Sequence, residues 1–213
     1  PASNSSALDA GDDTLVPSGI TEDQIGNPRI RGASVDMGAY ETEDVCTTTF
    51  FQDPGAVGTL HTVPAGDTAN FIQAVLCANQ LAGSQQILLT EGTYSFTEDY
   101  PADGDTETAL PSITEDLSIV GLDNGAIVER DPSAAEDFRL FLFDMVGPNP
   151  IGSVNNVTVR NGVASVGGAI AVQADGSVSA TNAILEDNTS TGAGGAMHST
   201  GPLINANGST FSN

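Results

Sequence analysis

Beyond residue 66 the apolar positions follow first a helical period and then a strand-like one. Over residues 67–80, "DTANFIQAVLCANQ", Phe71, Ile72, Val75, Leu76 and Ala78 recur at helical spacing. This predicts an amphipathic helix packed on a core, with Asp67 or Thr68 as N-cap and Gly83 placed to end it. After it come "QQILLTEGTYSF", "LSIVGLDNGAIVER", "FRLFLFDMV" and "VNNVTVRNG", short β-rich runs broken by glycine and asparagine. Their shortness and regular interruption predict strands. The acidic stretch "TEDYPADGDTETALP", residues 97–111, is expected to project as a solvated loop, with calcium binding its functional alternative.

The last fifty residues contain an internal repeat. "GGAI" at 167–170 returns as "GGAM" at 194–197, and "VSATNAILEDN" at 178–188 aligns without gaps to "LINANGSTFSN" at 203–213. A period of 20 to 30 residues with several strands per unit marks a solenoid. Each unit is too small to bury its own apolar face, so neighbours must stack at about 4.8 Å. The fold class expected is all-β, a parallel β-helix with one capping helix. Val157 and Val159, Ile170 and Val172, either Ile184 or Leu185, and Phe211 are expected to point inward. The pairs Gly167–Gly168 and Gly194–Gly195 should form tight corners, where a side chain is sterically costly. On the 25-residue alignment, Asn182 stacks on Asn207 and Asn188 on Asn213, which predicts a structural ladder of side-chain amides.

Residues 1–41 differ in texture. Turn-rich segments surround few apolar positions, so they cannot form a core alone and need a partner surface. "TEDVC", residues 42–46, reads as an acidic linker, and residues 47–213 as the β-helix.

These motifs carry a resemblance. "GGAI" and "GGAM" alternating with "LEDN" and "TFSN" resemble the GGA[I/L] and FxxN repeats of polymorphic outer-membrane proteins and related bacterial adhesin-like β-helices. Leu185 stands where that pattern has phenylalanine. "ALDAGD" at 7–12, "DQIGNPR" at 23–29 and "DMGAYE" at 36–41 resemble the closing segment of choice-of-anchor Q domain proteins, and "FIQAVLCANQ" with "GTYSF", "LPSI" and "LSIVG" resembles the helix-capped first coil. The resemblance implies a right-handed coil and an exported, extracellular or cell-surface protein. It implies no activity.

Composition narrows the partners. The chain of 213 residues has no lysine, five arginines, 28 acidic residues and a net charge of -23. Such a field repels nucleic acid and anionic membranes. No run approaches the roughly 20 apolar residues of a membrane-spanning helix. Cys46 and Cys77 lack zinc-site spacing, leaving a disulfide, worth about 3 kcal/mol, and two free thiols both open.

No catalytic or metal site is expected. A polysaccharide lyase needs a base and calcium-holding carboxylates on one face. Arg29 and Arg31 lie in the closing segment, Arg130 and Arg139 flank a loop, and Arg160 has no recognisable Asp cluster one rung away. Glu186 and Asp187 read as a solvated corner instead of a glycosidase pair. His61 and His198 belong to no triad or metal motif, and the sequons at Asn4, Asn156, Asn188 and Asn207 are assigned no role.

A closing segment placed ahead of the body raises the question of what it closes. Five coils stack to about 24 Å, whereas the four residues 42–45 reach at most about 14 Å. Closure in trans is therefore expected, with residues 1–41 of one copy completing the last coil of the next. A heterologous contact of this kind builds a filament. Leu8, Asp9, Ala10, Ile25, Met37, Tyr40, Phe211 and Asn213 are the interface expected, and the partners are copies of the same chain. The alternatives are a window of a tandem-domain adhesin, a glycan-binding or host-surface protein, and, least favoured, a lyase.

Overall fold

The computed structural model describes residues 11–22, 24, 29, 35, 37–38, 60–81, 83–100, 107–147, 150–200 and 203–212. The chain divides into two compact units, Pro1–Gln52 and Asp53–Asn213.

The second unit is a parallel β-solenoid of about five turns. It opens with β1 (Leu60–Val63) and α1 (Thr68–Ala78). The first coil carries β2 (Gln85–Leu89) and β3 (Gly92–Phe96), and the second β4 (Leu117–Gly121), β5 (Ala126–Arg130) and β6 (Phe141–Met145). The third holds β7 (Ile151–Asn155), β8 (Val157–Arg160), β9 (Val163–Ala164) and β10 (Ile170–Ala174). The fourth holds β11 (Ser177–Thr181), β12 (Ile184–Glu186), β13 (Thr189–Ser190) and β14 (Met197–Ser199), and β15 (Leu203–Asn207) and β16 (Thr210–Ser212) begin the fifth. Strands stack across coils into a six-stranded sheet β1-β2-β4-β7-β11-β15, a five-stranded sheet β3-β5-β8-β12-β16, a three-stranded sheet β6-β10-β14 and the pair β9-β13.

The helix forms where its spacing predicts. The Asp67 carboxylate accepts from the Asn70 N–H at 2.9 Å, capping the first turn. Asn79 ends α1 and holds the neighbouring corner, donating from Nδ2 to the Ser112 carbonyl (2.7 Å) and accepting from the Thr114 N–H (3.0 Å). Gly83, at φ 88°, lies a few residues beyond that end. Phe71 is fully buried, edge-on to Tyr94 at 5.8 Å and 6.3 Å from both Phe96 and Phe141, so the helix plugs the tube with an aromatic ring.

Alternation fills the interior. Val157, Val159, Ile170 and Val172 are buried, and Leu185, rather than the outward and exposed Ile184, takes the inward position. The glycine pairs occupy corners, with Gly167 and Gly194 at φ 59° and 65°. A Cβ on Gly168 would lie 2.4 Å from the Thr189 carbonyl oxygen and 2.5 Å from that of Gly195, contacts that no side-chain movement relieves. Size is matched along the inward column Leu117, Gly152, Val178: a Cβ on Gly152 would fall 2.5 Å from two ring atoms of Phe143. Gly152→Val is expected to lower stability by about 1–3 kcal/mol, and Ser179→Val, on the outward face, to stay within about 0.5 kcal/mol. Urea unfolding midpoints check both.

The asparagine ladder is corrected. The register pairs Ser177 with Leu203 and Thr181 with Asn207, an offset of 26 residues in place of 25. Asn182 therefore does not stack on Asn207. It stands beside Gly208, whose Cβ would lie 2.7 Å from Asn182 Oδ1. A one-residue slip reverses every inward and outward position, so apolar alternation overrides the asparagine match. Asn156, Asn182 and Gly208, with φ of 54°, 50° and 65°, form a column of left-handed turns 26 residues apart, where Asn and Gly are favoured. Asn188 is wholly buried and works on the backbone, accepting from the Gly162 N–H (2.9 Å) and donating to the Val159 carbonyl (2.8 Å). Asn213 lies outside the described residues.

Candidate assembly edge and charged clusters

The core columns run the length of the tube and end at its last described coil. One of them is Tyr94, Val128, Val159, Leu185, Phe211. The first four are 0% exposed, and Phe211 is 47% exposed. With Gly195, Ala196, Met197 and Ser212 it lines an open depression. The strands β14, β15 and β16 each have one pairing neighbour among the described residues, leaving a continuous strand edge around an apolar centre. At the other end α1 packs on β1, β2 and β3.

In the first unit, hydrogen bonds tie residues in or beside the segments 7–12, 23–29 and 36–41. The Gly11 N–H donates to the Val35 carbonyl (2.8 Å), and the Asp13 carboxylate accepts from the Val35 N–H (2.7 Å). A Cβ on Gly11 would meet the Val35 carbonyl at 2.5 Å, which explains a glycine there. Asp12 caps the short 3-10 turn Asp13–Leu15 through the Thr14 N–H and hydroxyl, and these hold its carboxyl below the usual range. Arg29 donates from its backbone N–H to the Thr21 carbonyl (2.9 Å) and from Nη2 to that of Gly38 (3.4 Å). Met37 is 61% exposed. Leu8, Asp9, Ala10, Ile25 and Tyr40 lie outside the described residues.

Cys77, buried on α1, is disulfide-bonded. The other cysteine of the chain, Cys46, lies outside the described residues.

Two charged clusters were hidden in the sequence. Arg160 stands between carboxylates on both adjacent rungs: its Nε is 2.6 Å from Glu129 Oε2 and its Nη1 3.8 Å from Glu186 Oε1. The sequence shows no Asp cluster beside Arg160; the partners on the adjacent rungs are two glutamates. Coil lengths of 31 and 26 residues separate the three positions, so no fixed period reveals them. Ser95 Oγ reaches Glu129 Oε1 and Asp131 Oδ2 at 3.0 and 3.1 Å.

The second cluster fastens the long loop. Arg139, 2% exposed, donates to Glu107 Oε2 (3.0 Å), Thr108 Oγ1 (3.2 Å) and the Val166 carbonyl (3.3 Å). Glu107 also accepts from the Ser165 hydroxyl and backbone N–H. These bonds, the Ser165 hydroxyl first, with the Arg139 charge, hold the Glu107 carboxyl below its ordinary value. A carboxyl lowered by folding adds stability above its unfolded pKa of about 4.3, and loses that contribution as pH falls through the folded value. The unfolding-midpoint gap between wild type and Glu107→Gln is therefore expected to be constant at neutral pH and to shrink below about pH 4. A gap independent of pH would remove Glu107 from this role.

His61 is buried on the inward side of β1, and His198 is half-buried on β14. Among the described residues no group of three or more His, Cys, Asp or Glu side chains could hold a metal ion. No described helix is long and apolar enough to cross a membrane. Two sequon asparagines serve the backbone: Asn188, as above, and Asn156, which donates to the Gly121 carbonyl at 2.9 Å.

Fold and edge together define the class, a helix-plugged parallel β-solenoid. Compared with protein-family models, curated proteins and solved structures, the chain matches none.

Proposed function

We propose that this is a structural, non-enzymatic protein of the cell exterior that assembles head to tail, residues 1–41 of one copy adding a closing coil to β14, β15 and β16 of the next. The observation that carries the reading is Phe211, exposed on an otherwise buried column at a strand edge that has no second pairing neighbour among the described residues. An added parallel coil would satisfy that edge and cover the ring. The helix plug supports one direction of growth, because α1 occupies the position where a coil would otherwise stack. The disulfide at Cys77 and the strongly acidic, lysine-free composition fit an oxidising exterior. The resemblance of residues 7–41 to closing segments of choice-of-anchor Q proteins points the same way. Electron microscopy and pelleting of the intact chain against a chain lacking residues 1–12 test it. Monomers at high concentration would favour a solenoid continued covalently within a tandem-domain adhesin.

A further inference from the structure

Within its strands the outward positions of the six-stranded sheet hold no ionisable side chain; one carboxylate, Asp116, stands immediately before β4, level with Ile151, whose N–H donates to it at 2.7 Å. From Thr62 on β1 to Asn207 on β15 they are hydroxyl, amide or aliphatic residues, in a chain with 28 acidic residues. One column reads Gln86, Ser118, Ser153, Ser179, Asn205. The five-stranded sheet instead carries Glu129, Arg160 and Glu186 outward. The neutral face is also ordered: Ser153 Oγ lies 2.8 Å from Ser118 Oγ, and Asn155 Nδ2 donates to both hydroxyls at 3.0 and 3.3 Å.

We infer that this face is the lateral contact between copies of the chain, through which filaments pair side by side. The inference rests on the assembly proposed above and adds a second, perpendicular contact. With a net charge of -23 on each copy, like charges oppose approach on any face that bears them. The neutral strands are where two copies meet with the fewest facing carboxylates, Asp116 lying at their margin. Flat uncharged sheets with identical side chains in register can interdigitate at about 10 Å. Five rung spacings by one strand length give roughly 400 Å² per copy, below the roughly 800 Å² per partner of a stable interface. Single copies should therefore pair weakly, and filaments strongly, because the contact recurs along their length. Pairing should strengthen as salt screens the acidic rim.

The test is the double variant Ser153→Glu/Ser179→Glu, outward substitutions whose folding is checked by circular dichroism. Wild-type filaments are expected to bundle at physiological salt, and variant filaments to form equally well but stay single in micrographs and low-speed pelleting. Bundles in both, or single filaments in both, would overturn the inference and leave head-to-tail assembly standing. If no filaments form, head-to-tail assembly fails. Weak wild-type dimers in sedimentation equilibrium, lost in the variant, would then still support the lateral contact, and monomers alone would overturn it. Retention of wild type on a neutral polysaccharide column, lost in the variant, would assign the face to a glycan and also overturn it.

Discussion

A chain lacking residues 1–12 is expected to stay monomeric where the intact chain forms filaments. The deletion removes Gly11 and Asp12, and with them the Gly11 to Val35 bond and the cap of the following turn. It removes no residue of the solenoid strands. A second variant approaches the contact from the other side. Phe211→Asp places a charge where an incoming coil would stack, at a residue already 47% exposed, so the isolated fold should tolerate it. Full burial of a phenylalanine contributes about 1.5–3 kcal/mol, so covering the exposed half of this one is worth roughly 0.7–1.4 kcal/mol, about three- to tenfold in association, and a charge in its place weakens the contact further. Trypsin offers a version without mutation. In the solenoid, Arg130, Arg139 and Arg160 are all ion-paired, with side-chain exposures of 11%, 2% and 33%. Cleavage is therefore expected at Arg29 or Arg31, leaving a solenoid that no longer assembles. Filaments that persist after the deletion and in Phe211→Asp would sink the complementation proposal.

Asn188→Ala is expected to be among the most destabilising single changes in the solenoid, at about 3 kcal/mol. It would orphan two buried backbone groups, the Gly162 N–H and the Val159 carbonyl, each costing roughly 1–3 kcal/mol. Asn188→Asp should be worse still, since a carboxylate cannot donate to Val159 and would be charged at a site with no exposure. Asn182→Gly distinguishes a turn from a ladder. With Gly208 in the equivalent left-handed turn one rung away, the change should fall within about 0.5 kcal/mol. A large loss on Asn182→Gly, or none on Asn188→Ala, in urea unfolding would contradict these roles.

Sequence patterns reached the solenoid through local rules. Helical spacing placed α1, alternation placed the inward valines, and repeated glycines placed the corners. What it misread depends on register. Asn182 and Asn207 match by letter, but the strands pair one residue out of that match because Val178 and Ala180 must face the core. Register also hid the Glu129, Arg160, Glu186 column and the clasp of Arg139 on Glu107, since coils of unequal length bring together residues with no common period. The exposed edge was partly legible: Phe211 was recognisable as an inward residue, but its column neighbours on the other rungs are buried while it is 47% exposed, a difference the repeat does not encode.

The Phe71 plug also gives the molecule a thermodynamic direction. In a stacked array each coil is stabilised mainly by its neighbours. The coil under the helix is covered on both sides, whereas among the described residues the strands β14, β15 and β16 are paired on one. Opening should therefore begin at the Phe211 end and travel toward Phe71, like a zipper with one fixed stop. A neighbour's closing segment bound at that end would shut off the route by which the chain unfolds, so polymerisation and resistance to unfolding would rise together.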